Sequence, residues 1–236
     1  MKKILAGLAV LIALVAVGAG VWVYSSLDSL VKTAIETYGS EATGVQIKVA
    51  AVKLAPADGE GVLAGLSIGN PRGFKTAHAL TAGNIELGVD IGSVAGDVIT
   101  IRKIIIVAPR ITYESSDGGS NFDVIQRNVE KYAGSKSKEP KDAKSPGKKL
   151  IVERLVIKDA KASYAGALTA GKAVSVPLPD IELRDIGKAK GGVTPDDLAK
   201  TIIDALKQRL SKAFGVDAVK RGVDSVKDGV KGLFRK

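Results

Sequence analysis

IRKIIIVAPRITY at Ile101 to Tyr113 and VERLVIKDAKASY at Val152 to Tyr164 align without a gap. Apolar residues match at Ile104/Leu155 and Ile106/Ile157, and both segments end in tyrosine. Isoleucine and valine dominate, with few aromatics, which reads as strands of a sheet with a smooth aliphatic face. Pro109 cannot donate to a ladder and belongs at an edge or a bulge. A second echo, IELGVDIG at 85–92 and IELRDIG at 181–187, points to weak internal repetition of strand units.

Toward the N-terminus the period stays at two. Ile85, Leu87, Val89 and Ile91 alternate with Asn84, Glu86, Gly88 and Asp90, a half-buried strand. Val62, Ala64, Leu66 and Ile68 form another, stopped by the turn Asn70-Pro71-Arg72-Gly73. Val45, Ile47 and Val49 alternate, and Val52 and Leu54 resume on the opposite parity after Ala50-Ala51, which reads as a bulge. Before them Leu27, Leu30, Val31, Ala34, Ile35 and Tyr38 recur at helical spacing, with Gly39 placed as a C-terminal cap.

Toward the C-terminus, a short helical patch at Val124 to Tyr132 precedes a stretch rich in lysine, serine and proline, which has little to bury and reads as a linker. Thr194-Pro195-Asp196-Asp197 starts a helix, with a hydroxyl cap, proline in the first turn and carboxylates at the positive end. Its apolar stripe is Leu198, Ile202, Ile203, Leu206, Leu210 and Phe214. Beyond Gly215 come three sevens, GVDAVKR, GVDSVKD and GVKGLFR, with Val216, Val219, Val223, Val226, Val230 and Leu233 on one helical face. Each glycine there costs about 1 kcal/mol relative to alanine, so this tail needs a membrane or protein surface to lie on.

Ile4 to Leu27 contains no charge and follows Lys2 and Lys3. At about 1.5 Å per residue it reaches across the roughly 30 Å core of a bilayer. Trp22 and Tyr24 suit the headgroup layer at its far end. A cleavable signal peptide is the competing reading, with Ala16, Gly18 and Ala19 as small residues for a peptidase, but apolar character continues past them. The lysines favour a cytoplasmic N-terminus, which places the rest outside; in a Gram-negative envelope the expected location is a single pass of the inner membrane with the bulk in the periplasm. The expected division is an anchor at 1–27, an amphipathic helix at 28–39, a first β-repeat region at 40–133, a basic linker at 134–149, a second β-region at 150–192 and amphipathic helices at 193–236.

The net charge is +10, with six lysines between Gly134 and Lys149 and ten basic against six acidic residues from Thr194 onward. Beside a membrane tether, this favours a lipid surface over nucleic acid. With no cysteine there is no disulfide framework, thiolate metal site or cysteine nucleophile. His78 is the single histidine, and a triad or histidine-bound metal would rest on it alone. GNPRGFK at 69–75 lacks the spacing of a phosphate loop and reads as a turn. Asp90 and Asp97 carry no paired acid, so no catalytic residue, metal site or cofactor is expected.

Several segments resemble the N-terminal part of AsmA-family proteins: Ala34-Ile35-Glu36, Thr43-Gly44-Val45, Gly61 through Leu66, Asn70 through Phe74, Val89 through Ser93, Ile104 through Pro109, and LPDIELRDIG at 178–187. The plan of one basic-flanked anchor followed by β-repeats is similar too. The resemblance implies an inner-membrane anchor and a β-groove with an apolar interior, concerned with phospholipid traffic and envelope assembly. At 236 residues the chain is far shorter than the large members, so end-to-end transfer would need copies or partners.

The expected fold is mainly β with helices: an N-terminal transmembrane helix, a curved, groove-like antiparallel sheet and C-terminal amphipathic helices. Its aliphatic face, with Ile85, Leu87, Val89, Ile91, Ile101 and Ile104, would contact acyl chains, each methylene contributing about 0.8 kcal/mol. The expected partner is phospholipid or a membrane surface. The alternative is a structural or adaptor protein whose C-terminal helices dock an envelope protein or another copy.

Overall fold

The computed structural model describes residues 26–116, 119–136, 148–165 and 174–214. Along the chain come α1 (26–43), β1 (Ile47–Lys48), β2 (Ala51–Ala55), β3 (Glu60–Gly69), β4 (His78–Val89), β5 (Val98–Val107), β6 (Arg110–Ser116) and β7 (Gly119–Ser120). They are followed by α2 (Asn121–Lys136), β8 (Lys149–Lys158), β9 (Lys161–Ala165), β10 (Val174–Pro177), β11 (Ile181–Ile186) and α3 (Pro195–Phe214). Short 3-10 turns at Ile91–Ser93 and Lys188–Lys190 follow β4 and β11, at the ends of the IELGVDIG and IELRDIG echo.

The two aligned segments are neighbours in space. β5 and β8 run parallel, with Ile101 opposite Val152, Ile104 opposite Leu155 and Ile106 opposite Ile157. β6 and β9 continue the same register to Tyr113 opposite Tyr164. The gapless sequence alignment is therefore the pairing register itself. Both segments turn a corner at the same level, where Ala108 (φ 50°) and Asp159 (φ 55°) take the left-handed conformation. The corners are tied to each other: the Ala108 N–H donates to the Lys158 carbonyl at 2.9 Å, and the Lys161 N–H to the Pro109 carbonyl at 3.0 Å. Pro109, expected at an edge or bulge, sits in this corner.

Other strands change phase at the same level. The Ala50 N–H donates to both the Ala64 carbonyl (2.9 Å) and the Gly65 carbonyl (3.3 Å), which is the bulge expected from the parity switch at Ala50-Ala51. Gly65 is required there, since its φ is +65° and a Cβ would stand 2.7 Å from the Ala50 Cβ. In β4, Leu80, Ala82 and Ile85 are all buried although their parity differs. The result is six long bent strands in one open sheet: β2 with β1, β3, β4, β5 with β6, β8 with β9, and β11 with β10. The two β-regions of the sequence are halves of this one sheet.

The expectation of an antiparallel sheet needs correction. Among the described residues all pairings are antiparallel except β5–β8 and β6–β9, so the sheet is mixed. Parallel neighbours cannot be joined by a hairpin, and the connection from β6 to β8 contains α2 as its crossover. The helical patch expected at 124–132 is the middle of this longer helix.

The helices pack on the apolar face. Phe122, Ile125 and Val129 of α2 and Leu198, Ile203, Leu206, Leu210 and Phe214 of α3 share one buried cluster with Val52, Leu63, Ile85, Ile111, Leu155 and Ile181 of the sheet. α2 and α3 lie antiparallel, joined by Asp123–Lys207 (2.5 Å), Gln126–Asp204 (3.0 Å) and Glu130–Lys200 (3.4 Å). α2 and α3 thus pack into this cluster, while β5 in the middle of the sheet keeps its apolar side chains half-buried. α3 begins where expected, the Thr194 hydroxyl accepting from the Asp197 N–H at 3.2 Å. α1 runs through Gly39, contrary to the expected stop, and ends at Gly44 (φ +66°). Gly39 serves packing instead, because a Cβ there would meet the Ile47 side chain at 2.9 Å.

Candidate functional site

α1 presents two working faces. Val31 and Ile35 pack on the core. Asp28, Lys32, Glu36 and Ser40, spaced by four and so on one side of the helix, meet the free edge of β1 and β2. Asp28 Oδ1 accepts from the Leu54 N–H (3.0 Å) and Lys32 Nζ donates to the Ala50 carbonyl (3.1 Å). Glu36 Oε1 accepts from the Val49 N–H (2.8 Å) and Ser40 Oγ from the Ile47 N–H (2.9 Å). An edge strand left bare is a template for aggregation; here a helix supplies its missing partners through side chains. The stripe was present in the sequence, but a four-residue polar spacing reads as a solvated face until the strand beside it is known.

The first turn of α1 therefore lies beside the end of β2, at one rim of the sheet. β2, β4 and β11 end at this rim and β3, β5 and β8 begin there. Its turns are tied together. The Val89 N–H donates to the Gly59 carbonyl at 2.6 Å, Arg102 Nη2 to the Asp58 carbonyl at 3.1 Å, and Lys148 Nζ to the Val94 carbonyl. Gly59 (φ +67°) must be glycine, since a Cβ would fall 2.2 Å from the Val89 carbonyl oxygen.

The six expected lipid-contact residues run from core to rim. Ile85 is 6% exposed in the core; Leu87, Ile101 and Ile104 are half-buried and pack against it. Val89 is half-buried and Ile91 is exposed on the rim, beside Val94, which the sequence reading did not single out. Only Ile91 of the six is open to solvent. Trp22, Tyr24 and the tail residues Val216, Val219, Val223, Val226, Val230 and Leu233 lie outside the described residues. Among the described residues, no helix is long and apolar enough to cross a membrane.

The opposite end of the sheet is held by polar groups distant in sequence. Asn121, fully buried, donates from Nδ2 to the Thr112 carbonyl (2.7 Å) and to Asn70 Oδ1 (2.8 Å), while its Oδ1 accepts from the N–H groups of Glu114 (3.1 Å) and Phe122 (3.0 Å). Its amide thus stands in for a strand partner along β6. Glu114, 6% exposed, accepts from the Lys75 N–H (2.6 Å), the Thr76 N–H (2.9 Å) and the Thr76 hydroxyl (2.6 Å). Burial pushes its carboxyl up, but hydrogen bonds from the Thr76 hydroxyl and the Lys75 and Thr76 amides outweigh it and hold the pKa below the usual range. The GNPRGFK turn thus leads into two backbone donors that cradle the protein's own carboxylate. Tyr113, Phe122, Tyr164 and Phe214 stack beside this end.

Among the described residues no three His, Asp or Glu side chains gather as a metal site requires. His78 is exposed at the start of β4. Two shallow depressions, of about 290 and 350 Å³, lie between β10 and the end of α3 and on the outer side of α1; none of the six expected lipid-contact residues lines either. No protein-family model matches this chain, and no curated protein matches it.

Proposed function

We propose that this is a membrane-anchored, non-catalytic module of the cell envelope, held by its N-terminal run in the inner membrane with the bulk of the chain in the periplasm. It acts as a structural or adaptor protein. One observation favours adaptor over lipid carrier: α2 and α3 pack on the apolar face of the sheet in one buried cluster. The helices in that cluster take space that an acyl chain would need. α1 supports the tether, since four side-chain bonds fix it to the sheet edge and a pull on the segment before residue 26 is transmitted to the sheet. The repeated bent-strand unit supports the AsmA-like reading, in which sheets grow by adding such units. The tail from Gly215 onward, with its apolar stripe and basic residues, is the docking element for a partner.

In-cell crosslinking of the full chain and of a variant lacking residues 215–236 tests this. Loss of the crosslinked complex with an unchanged unfolding midpoint is expected, and a complex that survives the deletion removes the adaptor role. Lipid handling keeps one supporting observation, the apolar residues of β4 that reach the rim at Ile91. Stoichiometric phospholipid in native mass spectra of the purified chain would favour that reading instead.

A further inference from the structure

Ile91 and Val94 stand 47% and 45% exposed on a single short turn. The other large apolar side chains left open among the described residues are Leu30 and Tyr38 on α1 and Val62 on β3. The turn is not loose. Asp90 Oδ1 accepts from the Gly92 N–H (3.0 Å), and the Ser93 hydroxyl donates to the Asp90 carbonyl (2.6 Å) while accepting from the Thr100 N–H (2.8 Å). The Val94 N–H closes the turn on the Ile91 carbonyl at 3.1 Å. A hydrogen-bonded base therefore holds two apolar tips outward, where water would otherwise favour turning them in.

The same rim receives the chain from its most apolar segment. α1 starts there, through Asp28 beside Leu54, and the uncharged run Ile4 to Leu27 leads into its first turn. We propose that this rim is seated in the interfacial layer of the bilayer, with Ile91 and Val94 inserted among the headgroups. The inference rests on the reading of the N-terminal run as a membrane anchor. It fixes an orientation which that reading leaves open: the bent strands run away from the membrane, and the Glu114–Asn121 end faces outward.

Charge does not drive the contact. Lys148, Lys149, Lys188 and Lys190 on the rim are matched by Asp58, Asp90, Asp97 and Asp185, with Lys188 paired to Asp185 at 2.9 Å. The apolar pair and the adjoining anchor hold the rim, and the lysines can extend toward phosphates from beside it. Seating of the rim should therefore not require anionic lipid.

The chain has no cysteine, so I91C, V94C and S175C each give the full chain one thiol for a nitrobenzoxadiazole label. Position 175 is exposed on β10, away from the rim. In phosphatidylcholine vesicles, labels at 91 and 94 should shift to the blue and lose roughly half their emission or more to doxyl lipid, as groups about 5–10 Å into the headgroup–acyl boundary do. Position 175 should do neither, and the changes at 91 and 94 should not need phosphatidylserine. A carbonate wash of the same vesicles reads the anchor separately. Release of the chain defeats the anchor reading and this inference with it. A retained chain whose rim labels stay aqueous overturns the seating alone, as does a blue-shifted label that doxyl lipid fails to quench, which marks a protein contact.

Discussion

The carboxylate of Asp28 accepts the backbone N–H of Leu54 at 3.0 Å, across 26 residues of sequence. With Glu36 on Val49 and Ser40 on Ile47, it makes α1 a side-chain substitute for a missing strand. This explains how a sheet with an open edge avoids pairing with other chains, and why the helix leaves the sheet at one defined rim. Any force or constraint applied through the preceding segment reaches the strands through these bonds.

Glu36 is the most consequential of the set, because the N–H it accepts belongs to Val49, a residue only 2% exposed. Glu36→Ala should destabilise the fold by about 1–3 kcal/mol, the cost of leaving a buried donor unmet. Glu36→Gln keeps a carbonyl acceptor and should lose less. Urea unfolding measures the difference, and hydrogen exchange at Val49 should quicken in the alanine variant only. Unchanged exchange there would show that the contact contributes nothing.

The Glu114 clasp makes stability depend on acid. Its folded pKa lies below the ordinary 4.5, so the unfolded chain binds the proton first as pH falls. The stabilisation is complete above about 4.5 and drains away as pH drops through the folded value. Glu114→Gln loses the charge-assisted bonds at every pH and should cost about 1.5–3 kcal/mol at neutral pH. Unfolding midpoints of wild type and variant should converge on acidification; a constant gap would mean that the carboxylate charge is not what binds the loop.

The sequence made the strands legible because the period of two survives wherever one face is buried. Even the parallel register was written in it, since Ile104/Leu155 and Ile106/Ile157 match in sequence and pair in space. The bulge at Ala50 was visible as a parity switch. The filling of the sheet's apolar face was not, because an aliphatic stripe such as Leu198 to Phe214 looks the same whether it meets a sheet, a membrane or a partner. Nor was the Glu114–Asn121–Asn70 network, whose members are joined only by the fold. Gly39 misled, because a glycine inside the helix, here facing the tip of the Ile47 side chain, resembles a helix cap.

Asp123 closes a capping box with Ser120 and reaches across to Lys207. Burial opposes its ionisation, but the hydrogen bonds from Lys207 and Ser120 prevail and bring its pKa from 3.8 to about 2. The linked stability is therefore complete above pH 3.8 and disappears between there and about 2. Both side chains of the ion pair keep about a third of their exposure, 30% and 29%, so the coupling between D123N and K207M in a double-mutant cycle should be only about 0.2–1 kcal/mol. Chemical denaturation of the four proteins at pH 7 measures it. A zero coupling would leave Asp123 as a helix cap only, with no part in joining α2 to α3.

Ala108 holds φ 50° at the β5–β6 corner, a conformation that costs a residue with a Cβ roughly 1–2 kcal/mol. Ala108→Gly removes that strain, while the freer unfolded chain takes back about 0.4–1 kcal/mol. The variant should therefore be modestly more stable. Ala108→Val, branched at Cβ, should be clearly less stable. The corresponding change at the β8–β9 corner, Asp159→Gly, should gain less, because aspartate tolerates the left-handed region better than alanine. Urea midpoints rank the three. If Ala108→Gly proves destabilising, the corner is held by its surroundings and not strained, and the bend belongs to the whole row from Ala50 to Asp159 and not to its individual residues.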